Sequence, residues 1–354
     1  MDFQYSTEQD EFRAVLRGFL QRPSAEEYDA ALWQRLCGEL ELPGLHIPAE
    51  YGGAGATLVD TAIACTELGR ALAPVPFATN AFAVEAILRL GDEEQRKELL
   101  ADLLSGAQIA AFGAWGPGAA SGATVVAERR DGHTLLTGTC TPVLHGHVAD
   151  VFVVPAVASL GEITAFLVRV DAPGLTVERL PSFDITRPLA RLRLSQVPAD
   201  ALRAGRPGGL LPVVDIARVL LAAEMLGGAE ACLEMAVQYA RQRTQFDRPI
   251  GSFQAVKHMC AEMLVEIDAT RAAVMFAAMS ASSGEELEIA APLAKAQAAD
   301  TFVQCAESAI QIHGGIAFTW EHRLHRYFRR AKTTQALFGS SAQHRALLAD
   351  RAGL

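Results

Sequence analysis

The stretch Arg241-Gln242-Arg243-Thr244-Gln245-Phe246-Asp247-Arg248-Pro249-Ile250-Gly251-Ser252-Phe253-Gln254 carries the residue types that hold an oxyanion. A guanidinium fork meets two oxygens of a phosphate or carboxylate at once, which an ammonium point charge does not. Pro249 and Gly251 break the chain between two long helical patterns. The arginines, the glutamines and Phe246 therefore sit at a helix–turn–helix corner, which is either a solvated surface or an anion clamp. A second stretch, Gln311-Ile312-His313-Gly314-Gly315, closes another helix further on. Its glycines serve either as a helix C-cap or as main chain that a ligand can approach without meeting a Cβ.

Other candidates carry less. Pro48-Ala49-Glu50-Tyr51-Gly52-Gly53-Ala54-Gly55 is glycine-rich but lacks the lysine and the following Ser/Thr of a phosphate-binding P-loop. His322, Arg323, His325, Arg326, Arg329, Arg330 and Lys332 form a basic stripe, either a solvated face or a surface that steers an anion or a partner subunit. No histidine pair has a carboxylate placed for a metal site. Cysteines 37, 65, 140, 232, 260 and 305 are scattered singly, with no C-x-x-C spacing, so reduced thiols in a cytoplasmic protein are expected.

Arg243-x-x-Phe246, Pro249-Ile250-Gly251-x-Phe253-Gln254 and Gln311-Ile312-His313-Gly314-Gly315 together resemble the acyl-CoA dehydrogenase family. The loop at 48–55 and Glu67-Leu68-Gly69-Arg70 resemble it as well, so the likeness runs to both ends of the chain. The resemblance implies FAD and the removal of hydrogens from the α and β carbons of an acyl-CoA thioester. It implies that Arg243, Phe246 and Gln254, with the backbone of Gln311, Ile312, His313, Gly314 and Gly315, contact FAD. In the family these contacts reach across a subunit interface to a flavin held mainly by the neighbouring protomer.

Two departures bear on chemistry. Family members place Thr-Glu-Pro, Gly-Ser-Asp and Trp-Ile-Thr against the flavin ring. The matching stretches here are Ala114-Trp115-Gly116-Pro117-Gly118-Ala119-Ala120-Ser121-Gly122 and Pro142-Val143-Leu144-His145-Gly146, without the acidic and Trp-Ile-Thr residues. Abstraction of the α-proton needs a carboxylate within hydrogen-bond reach. The family seats its glutamate either before a Gly-Thr/Ser pair near the C-terminus or, in a subset, before an arginine on an earlier helix. Those seats hold Phe338 and Ala217. Asp215 and Arg218 beside the second seat are retained, and by resemblance they lie near the acyl-CoA site, although a plain exposed helix arginine would look the same. Glu224 is the nearest spare carboxylate, at a separation the family does not use. Asp184-x-Thr186-Arg187-Pro188 resembles a structural turn of the family.

The elements that must position these residues fall into three blocks. Residues 1–110 are expected to be helical: Ser6-x-x-Gln9 gives a capping-box signal ahead of Phe12, Val15, Leu16 and Phe19, and further patterns lie around 32–40, 59–72 and 91–106. Short β-branched runs at 125–127, 134–136, 151–154, 164–170 and 192–194, with turns at Asp131-Gly132, Gly146 and Pro173-Gly174, make 111–205 a mostly antiparallel β domain. Segments 229–248, 252–283, 293–313 and 316–338, free of interrupting Gly or Pro, suggest a four-helix bundle over 206–354. The fold class is α+β multidomain, with the helix–sheet–helix order of the family. With 354 residues, half of them hydrophobic, the chain can bury a large core. Its net charge of −10 excludes a general nucleic-acid binder. No apolar run reaches the ~18–20 residues of a membrane span, and the N-terminus has no secretory signal pattern.

The expectation is a non-catalytic subunit of a heteromeric FAD-dependent acyl-CoA dehydrogenase. Its partner is a glutamate-bearing subunit of the same family, as in the enzymes of steroid side-chain breakdown. The FAD site is shared, a bulky acyl-CoA is the substrate, and an electron-transfer flavoprotein or similar protein is the acceptor. The competing readings are a homo-oligomeric flavoenzyme with a relocated base and a scaffold that has lost flavin.

Overall fold

The computed structural model describes residues 4–21, 27–113, 124–158, 161–206 and 208–354. Helices α1 (Thr7–Phe19), α2 (Ala30–Leu40), α3 (Leu58–Ala71), α4 (Phe77–Leu90) and α5 (Glu93–Ser105) come first. Strands β1 (Ala110–Phe112), β2 (Thr124–Arg130), β3 (His133–Leu144), β4 (Val151–Val157), β5 (Ile163–Arg169), β6 (Leu175–Leu180) and β7 (Leu189–Ala201) follow. The rest is α6 (Leu210–Gln242), a hairpin of β8 (Thr244–Gln245) and β9 (Arg248–Pro249), then α7 (Gln254–Ser283), α8 (Leu287–His313), α9 (Leu324–Ala336) and α10 (Ser341–Arg351). The expected helix–sheet–helix order holds. The chain divides into two compact units, one of Met1–Pro23, Ala62–Ala73 and Arg218–Leu354, the other of Ser24–Thr61 and Pro74–Ala217.

In the unit that contains the sheet, strands β4, β2, β3, β7 and β5 close on themselves, with β1 added to β4 and β6 to β7. The pairings are antiparallel except β1–β4 and β2–β4. Asp131 and Gly132 both take positive φ (50° and 84°), the conformation a tight hairpin between β2 and β3 requires. Helix α4 escaped the sequence reading because it is buried on nearly every side, so its apolar residues show no stripe. Two of its few polar residues have a specific task. Thr79 Oγ1 accepts from Phe112 N and Asn80 Oδ1 from Ala110 N, both at 3.0 Å, which satisfies the outer edge of β1.

In the other unit the capping box at Ser6 and Gln9 forms as expected. The C-terminal helical domain forms as expected, with different helix bounds. Helix α6 begins at Leu210 and runs through Gly227-Gly228, while α8 begins at Leu287 and contains Pro292. The last segment is a short 3-10 turn followed by two helices, α9 and α10. Each departure has a local cause. A Cβ at Gly227 would stand 1.8 Å from Thr66 O, and one at Gly228 would stand 2.3 Å from the Phe302 ring, so these glycines allow close helix contact. Pro292 lacks the N–H that would reach Glu288 O, and Arg351 Nη1 supplies the missing donor at 2.7 Å. The helix therefore tolerates a residue that usually ends one.

These contacts predict opposite outcomes for two glycine substitutions. Gly227→Ala should cost on the order of 3 kcal/mol or more, because the new methyl meets backbone that cannot move aside. Gly18→Ala, where nothing lies within 4 Å of the added Cβ, should gain about 0.5 kcal/mol. Chemical denaturation of the two variants checks both.

Candidate functional site

Helix α6 ends one turn after Tyr239, where Arg243 N donates to Tyr239 O at 2.8 Å and Ile250 N donates back to Arg243 O at 2.8 Å. Between them Thr244 pairs with Pro249 and Gln245 with Arg248. The hairpin tip is therefore Phe246-Asp247, both residues left-handed at φ 53° and 58°. Left-handed φ on a bulky aromatic costs about 1 kcal/mol, and here burial offers no return, since Phe246 is 86% exposed. Its ring meets Phe253 edge-on at 6.1 Å, and the Arg248 guanidinium lies 4.1 Å over Phe253. Every residue from Arg241 to Pro249 is exposed, as is Gln254.

The second motif lies beside the first. The His313 ring stacks on Tyr239 at 4.3 Å and meets His322 at 4.8 Å, so the ends of α6 and α8 are brought together. His313 Nδ1 is 2.8 Å from Ala309 O. A carbonyl only accepts, so Nδ1 carries the hydrogen and Nε2 is left as an acceptor. Burial holds the His313 pKa below that of an ordinary histidine, which keeps the ring neutral near pH 7. Gly314 has φ 66° and ψ −146°, backbone that only glycine adopts readily. A Cβ at Gly314 or at Gly315 would meet nothing within 4 Å, so packing inside this chain does not demand glycine at Gly315. Gln311 is exposed and the Ile312 side chain is buried, which leaves only its main chain to serve a ligand.

An open glycine cradle, an exposed phenyl and an unburied arginine next to one another suit the pyrophosphate and aromatic parts of a dinucleotide such as FAD. Tyr239, which props His313, was not singled out from the sequence. Its position one helical turn before Arg243 is the signal that could have found it.

The two positions expected to seat a base are closed. Ala217 is fully buried on α6, as are Asp215 (3% exposed) and Arg218 (0%). Arg218 is thus no solvated surface arginine. Phe338 lies in the corner between α9 and α10, 2% exposed, with φ 56°. No Asp or Glu occurs from Lys332 to Leu348. Glu224, the nearest spare carboxylate, forms a buried ion pair with Arg330 Nη1 at 2.5 Å. Its carboxylate therefore faces a guanidinium in the interior and not the solvent.

At the ring-facing stretches, residues 114–122 lie outside the described residues. The Pro142–Gly146 stretch ends β3 with Val143 and Leu144 buried, and it offers no hydroxyl. The glycine-rich loop proves structural, since a Cβ at Gly53 would stand 2.1 Å from Ile47 O. The basic stripe is not uniformly solvated either. Arg330 is spent on Glu224, Lys332 binds Glu307 at 2.9 Å, and Arg329 covers the Trp320 ring at 4.9 Å. Among the described residues no group of His, Cys, Asp or Glu could hold a metal ion, and no helix is long and apolar enough to cross a membrane.

Residues 6–107 match the family model described as acyl-CoA dehydrogenase, N-terminal domain, and residues 212–353 match acyl-CoA dehydrogenase, C-terminal domain. The chain therefore belongs to the acyl-CoA dehydrogenase family, whose members are FAD-dependent oxidoreductases. It is 35% identical over 312 residues to the acyl-CoA dehydrogenase IpdE2 of Mycolicibacterium smegmatis, covering 88% of this chain and 85% of that protein. Among solved structures it resembles the ChsE4-ChsE5 complex from Mycobacterium tuberculosis at a TM-score of 0.91 and 29% identity, over all of both chains. A Tcur3481-Tcur3483 steroid ACAD variant gives 0.88 at 31% identity, over 98% of each chain.

Removing either member of the Glu224–Arg330 pair should cost about 3–5 kcal/mol, because the other charge stays buried and loses its ion-pair partner. The double variant Glu224→Leu, Arg330→Met should cost much less than the two single changes combined. Denaturation midpoints of the three variants check this. If Glu224 were a catalytic base, Glu224→Gln would instead abolish turnover in a protein of nearly native stability.

Proposed function

We propose that this chain is the non-catalytic subunit of a heteromeric FAD-dependent acyl-CoA dehydrogenase, contributing the cross-interface part of a shared FAD site. The observation that carries the reading is the contrast between its two halves. Both seats of the base are filled by buried apolar side chains, Ala217 and Phe338, while Arg243, Phe246 and the Gly314–Gly315 main chain stand open to solvent.

When bound, FAD would supply the acceptor for the hydride that leaves the β carbon. The residues of this chain would bind and orient. The Arg243 fork suits pyrophosphate oxygens, Phe246 offers a ring face, Gln254 a side-chain amide, and residues 311–315 their main chain. Asp215 and Arg218 would line the acyl-CoA side. The proton acceptor, a glutamate, would come from a family partner. The likeness to a ChsE4-ChsE5 complex and to a steroid ACAD supports a two-subunit enzyme and a bulky, steroid-derived acyl-CoA as substrate. An electron-transfer flavoprotein or similar protein would then reoxidise the flavin. A cytoplasmic setting fits CoA chemistry and cysteines that, among the described residues, form no disulfide.

The visible spectrum of the purified protein tests the proposal. The chain alone should be colourless, and the chain co-expressed with a glutamate-bearing family neighbour should carry flavin and oxidise acyl-CoA. Stoichiometric flavin and turnover in the lone protein would instead favour the homo-oligomeric reading. Arg243→Ala in the co-expressed complex should leave assembly intact but weaken FAD retention about tenfold or more, the loss expected for charge-assisted hydrogen bonds of ~1.5–3 kcal/mol. Unchanged flavin content in that variant counts against the shared clamp.

A further inference from the structure

Helix α9 ends at Ala336, and the chain turns through Leu337, Phe338 and Gly339 before Ser340 caps α10. The corner needs unusual backbone: Phe338 has φ 56° and Gly339 φ 116°. One result is that three carbonyl oxygens converge, those of Thr334, Gln335 and Gly339. The first two belong to the last turn of α9, where the helix dipole places negative charge, and Thr334 O also accepts from Leu337 N at 3.2 Å. Carbonyls gathered at one point repel one another unless a cation sits among them.

Lys295, from α8, fills that point. Its Nζ donates to Thr334 O at 3.2 Å, to Gln335 O at 3.4 Å and to Gly339 O at 3.5 Å, and the residue is fully buried. Taking an ammonium out of water is expensive, and a lysine normally carries its head group to the surface instead. Its neighbour His344, on α10, is also fully buried. The His344 pKa is pushed down to about 3 by burial first, then by Lys295, Arg218 and Arg351. A neutral ring there adds no second positive charge beside Lys295.

We propose that the α9–α10 corner is a backbone cation cradle with Lys295 as its resident cation, and that this lysine is the positioning residue for position 338. The cradle selects a small cation with N–H donors. The inference concerns this chain's own backbone and does not depend on whether the chain is catalytic. Without the ammonium, the converging carbonyls should spread, and Phe338 should lose the constraint that holds it left-handed.

Lys295→Ala in the full-length chain tests the cradle. The melting temperature should fall by roughly 5–10 °C. Several degrees should return in ammonium or methylammonium chloride, whose ions fit the vacated volume and can donate. The same concentration of tetramethylammonium chloride, which has no N–H, should return none. Equal recovery in all the salts, or a melting temperature within ~1 °C of the wild type, overturns the proposal. If Lys295→Ala does not fold, nitrogen-15 lysine labelling of the unaltered protein decides. Lys97, Lys257 and Lys332 are the other lysines, each identifiable by substitution. A protected ammonium signal for Lys295 at pH 7 supports the cradle, and a neutral amine there rules it out.

Discussion

Helix α6 is buried at every residue from Val213 to Cys232, and a helix enclosed in this way must pair each charge it carries. Glu224 is matched by Arg330. Glu230 is a hub, reached by Arg13 at 3.3 Å, Arg271 at 2.8 Å and Arg70 at 3.8 Å, and so ties α1, α3 and α7 to α6. Glu67 on α3 answers Arg13 and Arg17 in the same cluster. On the same helix Gly227 and Gly228 let the neighbouring main chain and the Phe302 ring come close.

Much of the architecture was legible because it follows local rules. The capping box at Ser6, the Asp131-Gly132 hairpin and the β-branched runs each announce themselves within a few residues. What escaped is governed by burial or by distant partners. Helix α4 shows no stripe because nearly all its faces are covered, and β1 is too short to stand out. Gly227-Gly228 and Pro292 look like breaks until Thr66, Phe302 and Arg351 are in place. The two motifs of the candidate site were found as separate sequences, whereas their meeting through the Tyr239–His313 stack could not be read from spacing. The seats at Ala217 and Phe338 were recognisable only by likeness to a family, because an absent carboxylate leaves no pattern of its own.

The candidate site thus combines two kinds of backbone strain with different settings. Phe246 is left-handed in solvent, at a hairpin tip where little surrounds it. Phe338 is left-handed in the interior, with the corner's carbonyls gathered on a lysine. Strain in the open is a surface shaped for something outside the chain, and strain in the interior is held by the fold itself. That division separates a strained surface that faces outward from a strained corner that the packing of α8, α9 and α10 holds in place.

The exposed aromatic groups also bear on how copies of the chain behave in a crowded solution. Phe246, Phe318 and Trp320 present rings that are 86%, 78% and 54% exposed, which in a neutral protein would favour indiscriminate clustering. The chain's net charge of −10 opposes this, since every copy repels every other at low and moderate ionic strength. Colloidal repulsion of this kind is long-ranged and undirected, while ring contacts act only at short range, so salt that screens the charge leaves the exposed rings to dominate.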